Sequence, residues 1–379
     1  MPAIRSLALA YALAGADCVD VAAEPAAIAA AQSGFQAARQ LSAAAKERGF
    51  LGWQDPWLMA SLNDGEDPHF RKVAFDPVRC PADCPRPCES ICPVQAIVFN
   101  RGTDRFSGVV NERCYGCGRC LPICPIQQIT PREYVSAPDI AVTEALAGGV
   151  VALELHTQPG RLMEFQRLWG AIAPQVQRLN LIAISCPDGP QFIDYLWALY
   201  EAISPLPCAL IWQVDGRPMS GDIGGGTTRA AVNLAEKVLV HGPPGFVQLA
   251  GGTNDCTVPK LQSRRLLASL STHPTPSNDC DRIPLPTDSA LGQHQRCVAG
   301  IAYGSYARKL VAPSLTELET RSTEIPPSAM TTKQRPATMQ LECYPDLLWQ
   351  AVNRAHNLIA PLKSISQPDQ NFQLANQIA

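Results

Sequence analysis

No run of lysine or arginine occurs in the sequence, and none of its apolar segments reaches the ~20 residues that a bilayer-crossing helix needs. The first absence argues against nucleic acid as a partner, because binding a phosphate backbone depends on clustered cations and the formal net charge here is −3. The second leaves no transmembrane segment. Also missing are a recognisable nucleophile triad, a dinucleotide fingerprint and a pair of catalytic carboxylates. Arg264-Arg265 is too short to count as a basic run and reads as solvated surface. Charged residues are scarce, at 17% against 46% hydrophobic, so core material is ample and a chain disordered throughout is excluded.

Residues 1–18 imitate a lipoprotein leader that ends at Cys18. Three features oppose cleavage: the basic region is Arg5 alone, Asp17 stands where a small residue is wanted, and Val19-Asp20-Val21 continues as a strand. A cytoplasmic location is therefore expected. Fifteen cysteines would imply disulfides in a short secreted chain, but eight of them fall between Cys80 and Cys124 at metal-ligand spacing and the rest are scattered. The thiols read as reduced.

Outside the cysteine region, short apolar runs alternate with longer helical stretches, the signature of βα units around a parallel sheet. Strands are expected at 18–23, 57–62, 150–156, 181–186, 208–215, 246–250 and 298–303, and helices at 4–14, 26–48, 162–173, 191–203 and 228–240. Seven strands is one short of a closed (β/α)8 barrel. Phe70-Arg71-Lys72-Val73-Ala74-Phe75 would supply the eighth, or the chain lacks the first. The expected fold is thus α/β, a TIM-like barrel possibly lacking its first strand with an inserted two-cluster ferredoxin-like module, and an open doubly wound sheet is the alternative. The division is residues 1–75 and 136–312 for the barrel, 76–135 for the module, and 313–379 for a partly disordered tail holding one helix at 345–362. The polar stretch 272–295 reads as equally loose.

Cys114-Tyr115-Gly116-Cys117-Gly118-Arg119-Cys120-Leu121-Pro122-Ile123-Cys124-Pro125 is the C-x2-C-x2-C-x3-C-P run of bacterial ferredoxins. Cysteines at that spacing wrap a cubane, glycines let the backbone curl around it, and proline turns the chain away after the fourth thiolate. A preceding run, Cys80, Cys84, Cys88 and Cys92-Pro93, departs from the pattern by its three-residue gaps. Both runs end alike, in Cys92-Pro93-Val94-Gln95-Ala96-Ile97 and Cys124-Pro125-Ile126-Gln127-Gln128-Ile129, the internal pseudo-symmetry of a two-cluster ferredoxin. In such proteins the fourth cysteine of each run ligates the other cluster. One [4Fe–4S] cluster would then take Cys80, Cys84, Cys88 and Cys124, and the other Cys114, Cys117, Cys120 and Cys92. Four-thiolate zinc is the competing reading, although structural zinc sites usually draw on separated C-x2-C pairs.

The barrel carries weaker signals. Gly251, Gly252, Gly304 and Ser305 lie in glycine-rich turns after the last two strands, where a barrel often holds a phosphate such as that of FMN. The plainer reading is that the glycines permit tight turns, and Gly221–Thr228 is a similar run ahead of a helix. Glu24, Asn63, Asp64, His156, Cys186, Asp215 and Asn254 fall at strand ends, where a barrel's catalytic groups sit. Each alone is as well explained structurally. Cys186 in particular reads as a small core residue.

Phe75-Asp76-Pro77 leading into the paired motifs, Val151-Ala152-Leu153-Glu154-Leu155-His156 and Val247-Gln248-Leu249-Ala250-Gly251-Gly252-Thr253-Asn254 together resemble the cyanobacterial light-dependent period protein A family over residues 1–312. The resemblance implies an iron–sulfur protein that reports cellular redox state to the circadian clock, with clock input proteins as partners and the eight cysteines as its functional residues. Two readings follow. In one, cluster oxidation state biases a protein–protein contact and the barrel is scaffold. In the other, the clusters exchange electrons with a donor or acceptor on behalf of a flavin or substrate on the barrel, which is then an oxidoreductase.

Overall fold

The computed structural model describes residues 4–50, 54–65, 71–92, 95–101, 106–111, 113–114, 120–133, 137–216, 226–267, 297–324 and 340–366. The chain opens with α1 (Ile4–Ala14), β1 (Cys18–Ala22), α2 (Pro25–Glu47) and β2 (Trp57–Asn63). The cysteine module follows as β3 (Arg71–Ala74), α3 (Pro87–Ile91), β4 (Ile97–Arg101), β5 (Phe106–Val109), α4 (Cys120–Ile123) and β6 (Thr130–Glu133). Regular βα alternation then resumes: α5 (Pro138–Ala147), β7 (Ala152–His156), α6 (Leu162–Ile172), β8 (Leu181–Pro187), α7 (Phe192–Ile203), β9 (Ala209–Asp215), α8 (Thr228–His241), β10 (Phe246–Ala250), α9 (Thr257–Ser263) and β11 (Val298–Ile301). Two long helices, α10 (Ser305–Glu324) and α11 (Pro345–Ser366), end the described chain.

Seven strands form one sheet in the order β1-β2-β7-β8-β9-β10-β11, with every neighbouring pair parallel. The order never reverses along the sequence, whereas a doubly wound sheet turns back at a switch point. Helices accordingly pack on one face only. Val21, Ala60, Leu153, Ile182, Trp212 and Leu249 point into a single core shared with residues of α1, α2 and α5 through α11. Side chains alternate across a strand, so Met59, Ala152, Leu181 and Ala183 fall on the opposite face in a separate small cluster. The result is a curled half-barrel whose concave face carries none of the described helices. Among the described residues β1 and β11 do not pair, and the sheet stays open.

Of the expected segment 70–75, Phe70 lies outside the described residues and Arg71–Ala74 does not supply an eighth barrel strand. Segment β3 is a strand, but it pairs antiparallel with β6, and Val73 buries among the cysteines. Its hydrogen bonds are committed to the module, so it does not join the parallel sheet.

The ends of the chain meet in the helical layer instead. Arg5 of α1 forms a two-pronged ion pair with Glu342, with Nη1 2.8 Å from Oε2. Tyr11 Oη donates to the Ala307 carbonyl at 2.9 Å, Lys363 Nζ reaches Asp17 Oδ1 at 2.7 Å, and Phe50 stacks on Trp349. Helix α10 also runs straight through Pro313, where the sequence reads as the start of a loose tail. Proline in a helix interior costs about 3 kcal/mol. Val311, Leu315 and Leu318 lie on one buried stripe, and burying each apolar side chain returns about 1.5–3 kcal/mol, so packing outweighs the break. The polar stretches 272–295 and 325–339, and the end of the chain from 367, lie outside the described residues.

Candidate metal centre

The cysteine module is built as two copies of one strand–helix–strand unit. Outer strands β3 and β6 pair with each other, inner strands β4 and β5 likewise, and α3 packs against α4. Each run of cysteines contributes one residue to a short helix, Cys88 to α3 and Cys120 to α4. The repeat extends to single hydrogen bonds. Ala96 N–H donates to Cys92 Sγ at 3.2 Å, and Gln128 N–H donates to Cys124 Sγ at 3.4 Å, each four residues on. Between them Gln95 and Gln127 adopt left-handed backbone, φ 51° and 50°, and close the same three-residue turn onto the carbonyls of Cys92 and Cys124. Side chains rarely accept that conformation, and its occurrence at both positions marks a turn required to aim amides at sulfur.

Cys124 lies close enough to Cys80 and Cys88 of the first run for its charge to act on both. The Cys80 thiol is pushed up by burial and then by its neighbours Cys84 and Cys124. Cys88 is pushed up to about 11, first by burial, with Cys80 and Cys124 adding to it. Burial raises Cys124 too, but the backbone amides of Gln128, Ile129, Ile126 and Gln127 together overcome it and hold the thiol below its ordinary value. Thiols gathered around Cys80, with Cys124 already surrounded by N–H donors, form a donor set suited to a cationic iron–sulfide core. Among the described residues no three His, Cys, Asp or Glu side chains converge on one point as a single ion requires. A cubane holds its thiolates at separate corners. Cys88, Cys114, Cys120 and Cys124 are buried in the module's apolar cluster with Val73, Ile97, Phe99 and Ile129, while Cys117 lies outside the described residues.

The other residues singled out by sequence divide into two groups. Gly251 and Gly252 have φ of 62° and 88°, and a Cβ on Gly252 would lie 2.9 Å from the Thr227 carbonyl. Thr227 Oγ1 donates to the Gly252 carbonyl, Asn254 Nδ2 to Thr227 Oγ1, and Thr257 Oγ1 accepts from the Asn254 amide. This loop is therefore engaged with its own neighbours. Gly304 and Ser305 sit exposed at the start of α10, where Arg308 donates to Ser305 Oγ at 3.2 Å. Cys186 lies in the helical core with its thiol raised by burial. Asp64 is a buried bridge, accepting from Thr157 Oγ1 at 2.6 Å and facing Arg161 Nε at 3.2 Å.

Glu24 belongs with the module. It accepts from Lys72 Nζ at 2.6 Å, and the same ammonium donates to the Asn111 carbonyl at 2.7 Å. Lys72 was invisible to motif reading because its significance comes only from burial beside Glu24. Asn63, His156 and Asp215 share the concave face by register, together with Asp20, Ser61, Glu154, Ser185 and Gln213. Sequence reasoning missed these last five. The signal was available as polar residues alternating with apolar ones along each strand.

No described helix is long and apolar enough to cross a membrane. Residues 80–135 match the family described as the LdpA Fe-S cluster-binding domain, and residues 145–361 match the light dependent period A C-terminal domain. The chain is 47% identical over 363 residues to the light dependent period A protein of Synechococcus elongatus, covering 96% of this chain and 88% of that protein. An uncharacterised ferredoxin of Methanocaldococcus jannaschii is 42% identical over 66 residues, 17% of this chain and 42% of the ferredoxin. No solved structure matches the chain. With a doubled cysteine unit that matches one domain of the family and a half-barrel that matches the other, the chain belongs to the light dependent period A family.

Proposed function

We propose that the chain is a redox sensor that holds two [4Fe–4S] clusters and modulates light input to the circadian clock. The observation that carries this reading is the pair of matched turns after Cys92 and Cys124, whose amides donate to the two sulfurs, with Cys124 near Cys80 and Cys88 beside them. It supports one cluster on Cys80, Cys84, Cys88 and Cys124 and the other on Cys114, Cys117, Cys120 and Cys92. Bound clusters would supply single-electron transfer. The chain's own residues bury the thiols, aim amides at the sulfurs and so set where the potential falls.

The Lys72–Glu24 contact gives the module a fixed seat on the half-barrel, which serves as scaffold. The clock role and input-protein partners rest on family membership, and a cytoplasmic setting rests on the reading of the thiols as reduced. In the alternative reading the barrel is an oxidoreductase fed by the module, and the polar concave face is the observation in its favour. The occupied loop at Gly252 gives no support to a flavin phosphate there.

Anaerobic purification with iron, sulfide and flavin analysis tests the reading, followed by an electron-paramagnetic redox titration of serine variants. About eight irons are expected. Cys84→Ser and Cys124→Ser should remove the same signal and Cys92→Ser the other. Zinc without sulfide, or a Cys124→Ser protein that loses the signal lost in Cys92→Ser, overturns the assignment, and stoichiometric flavin favours the enzyme.

A further inference from the structure

The concave face of the sheet carries chemistry that the cluster reading leaves unused. Asp20 of β1, Ser61 of β2, Glu154 and His156 of β7, Ser185 of β8, and Gln213 and Asp215 of β9 lie on it by register. They form one network. Ser61 Oγ donates to Asp20 Oδ2 at 2.5 Å and lies 3.5 Å from Glu154 Oε2. Gln213 Nε2 donates to Glu154 Oε1 and, at 3.3 Å, to Ser185 Oγ, while His156 Nε2 stands 3.2 Å from Glu154 Oε1.

One atom in this network has no partner. Gln213 is only 5% exposed and spends its amide hydrogens on Glu154 and Ser185, yet its carbonyl oxygen Oε1 accepts no hydrogen bond. Turning the amide over would set oxygen against the Glu154 carboxylate, so the orientation is fixed by its neighbours. A buried amide oxygen left unpaired costs about 1–3 kcal/mol, and native structures keep such groups mainly where something else completes them. The missing partner must be a hydrogen-bond donor.

Charge points the same way. Three carboxyl groups, Asp20, Glu154 and Asp215, face one another across this surface, and His156 is the basic group beside them. The nearby cations are engaged elsewhere, Lys72 with Glu24 and Arg161 with Asp64. Burial and the Glu154 charge raise both Asp20 and Asp215, and at Asp215 the neighbouring His156 offsets only part of that rise. Asp20 itself is exposed to solvent on this face. Below the acids the floor is apolar, formed by Met59, Ala152, Leu181 and Ala183 with Ile211.

We propose that the concave face binds an aliphatic di- or polyamine, its ammonium groups on Glu154, Asp20, Asp215 and the Gln213 carbonyl oxygen and its methylenes on the Met59–Leu181 floor. A metal ion fits less well, since no three of the described acidic, histidine or cysteine groups converge on one point. An anion is disfavoured, because among the described residues the nearby lysine and arginine are engaged elsewhere and three carboxyl groups line the face. The site is separate from the cysteines and does not rest on their cluster assignment.

The test is calorimetric titration of the full-length, anaerobically prepared protein with spermidine, with glutarate and magnesium chloride at matched ionic strength as comparisons. Saturable binding of spermidine is expected, weakened at least tenfold by Glu154→Gln and by Asp215→Asn and unchanged by Glu236→Gln, whose carboxylate pairs with Arg264 on the surface. If Glu154→Gln does not fold, Asp215→Asn, which removes a destabilised acid, carries the test. Absence of saturable spermidine binding overturns the proposal. So does equal heat from magnesium or glutarate, an equal loss in Glu236→Gln, or affinity unmoved in Asp215→Asn.

Discussion

Lys72 Nζ lies 2.6 Å from Glu24 Oε1 with both side chains almost wholly buried, 1% and 4% exposed, so the cysteine module is fastened to the end of β1 by an ion pair out of water. A charge buried with its partner roughly breaks even, whereas a charge left alone costs about 3–5 kcal/mol. Lys72→Met or Glu24→Gln alone should therefore destabilise the protein by that order. The double variant should lose clearly less than the sum. Urea unfolding of the four proteins in a cycle measures it, and additive losses would show that the two side chains do not act as a pair.

Asp215 sits on the concave face beside Glu154, His156 and Ser185, and burial, followed by the Glu154 charge, pushes its carboxyl up to about 6. An acid whose folded value is raised holds its proton more tightly folded than unfolded. Its contribution is therefore most favourable below the ordinary carboxylate value near ~4 and is lost as pH climbs through about 6. Asp215→Asn should be more stable than the parent by up to about 3 kcal/mol at pH 7.5, a gain that falls to about half at pH 5. Denaturation midpoints across that range check it, and a gain independent of pH would refute the charge argument.

Gly34 lies where α2 crosses α1, and a Cβ there would stand 2.5 Å from the Arg5 carbonyl oxygen and 2.9 Å from Ala8 Cβ. Alanine raises helix propensity by about 1 kcal/mol, but overpacking costs about 1–3 kcal/mol. Because the contact is with backbone, the clash should win. Gly34→Ala is expected to be less stable by about 1–2 kcal/mol. Arg5 holds Glu342, so tryptic cleavage near α11 should also quicken.

Gln127 and Gln95 hold the left-handed turns that aim amides at Cys124 and Cys92. Glycine accepts this backbone freely and a β-branched residue does not. Gln127→Gly should match the parent in melting temperature and iron content, whereas Gln127→Val should lose more than about 1 kcal/mol and shed iron faster in air. Equal behaviour of the two variants would mean that the turn does not control the site.

What the sequence determined was whatever repeats at short range. All seven barrel strands announce themselves as apolar runs between turn signals, and the doubled cysteine spacing with its Cys-Pro-x-Gln ends defines the module, because pleat, helix turn and ligand spacing are local properties. Tertiary structure decided the rest. It spent β3 on the module rather than the sheet, carried α10 through Pro313, and joined Arg5 to Glu342 and Lys72 to Glu24 across 337 and 48 residues. It also gathered Asp20, Glu154, Gln213 and Asp215 onto one face. Those outcomes depend on which surfaces meet and how much water they exclude, and neither is fixed until distant segments of the chain pack together.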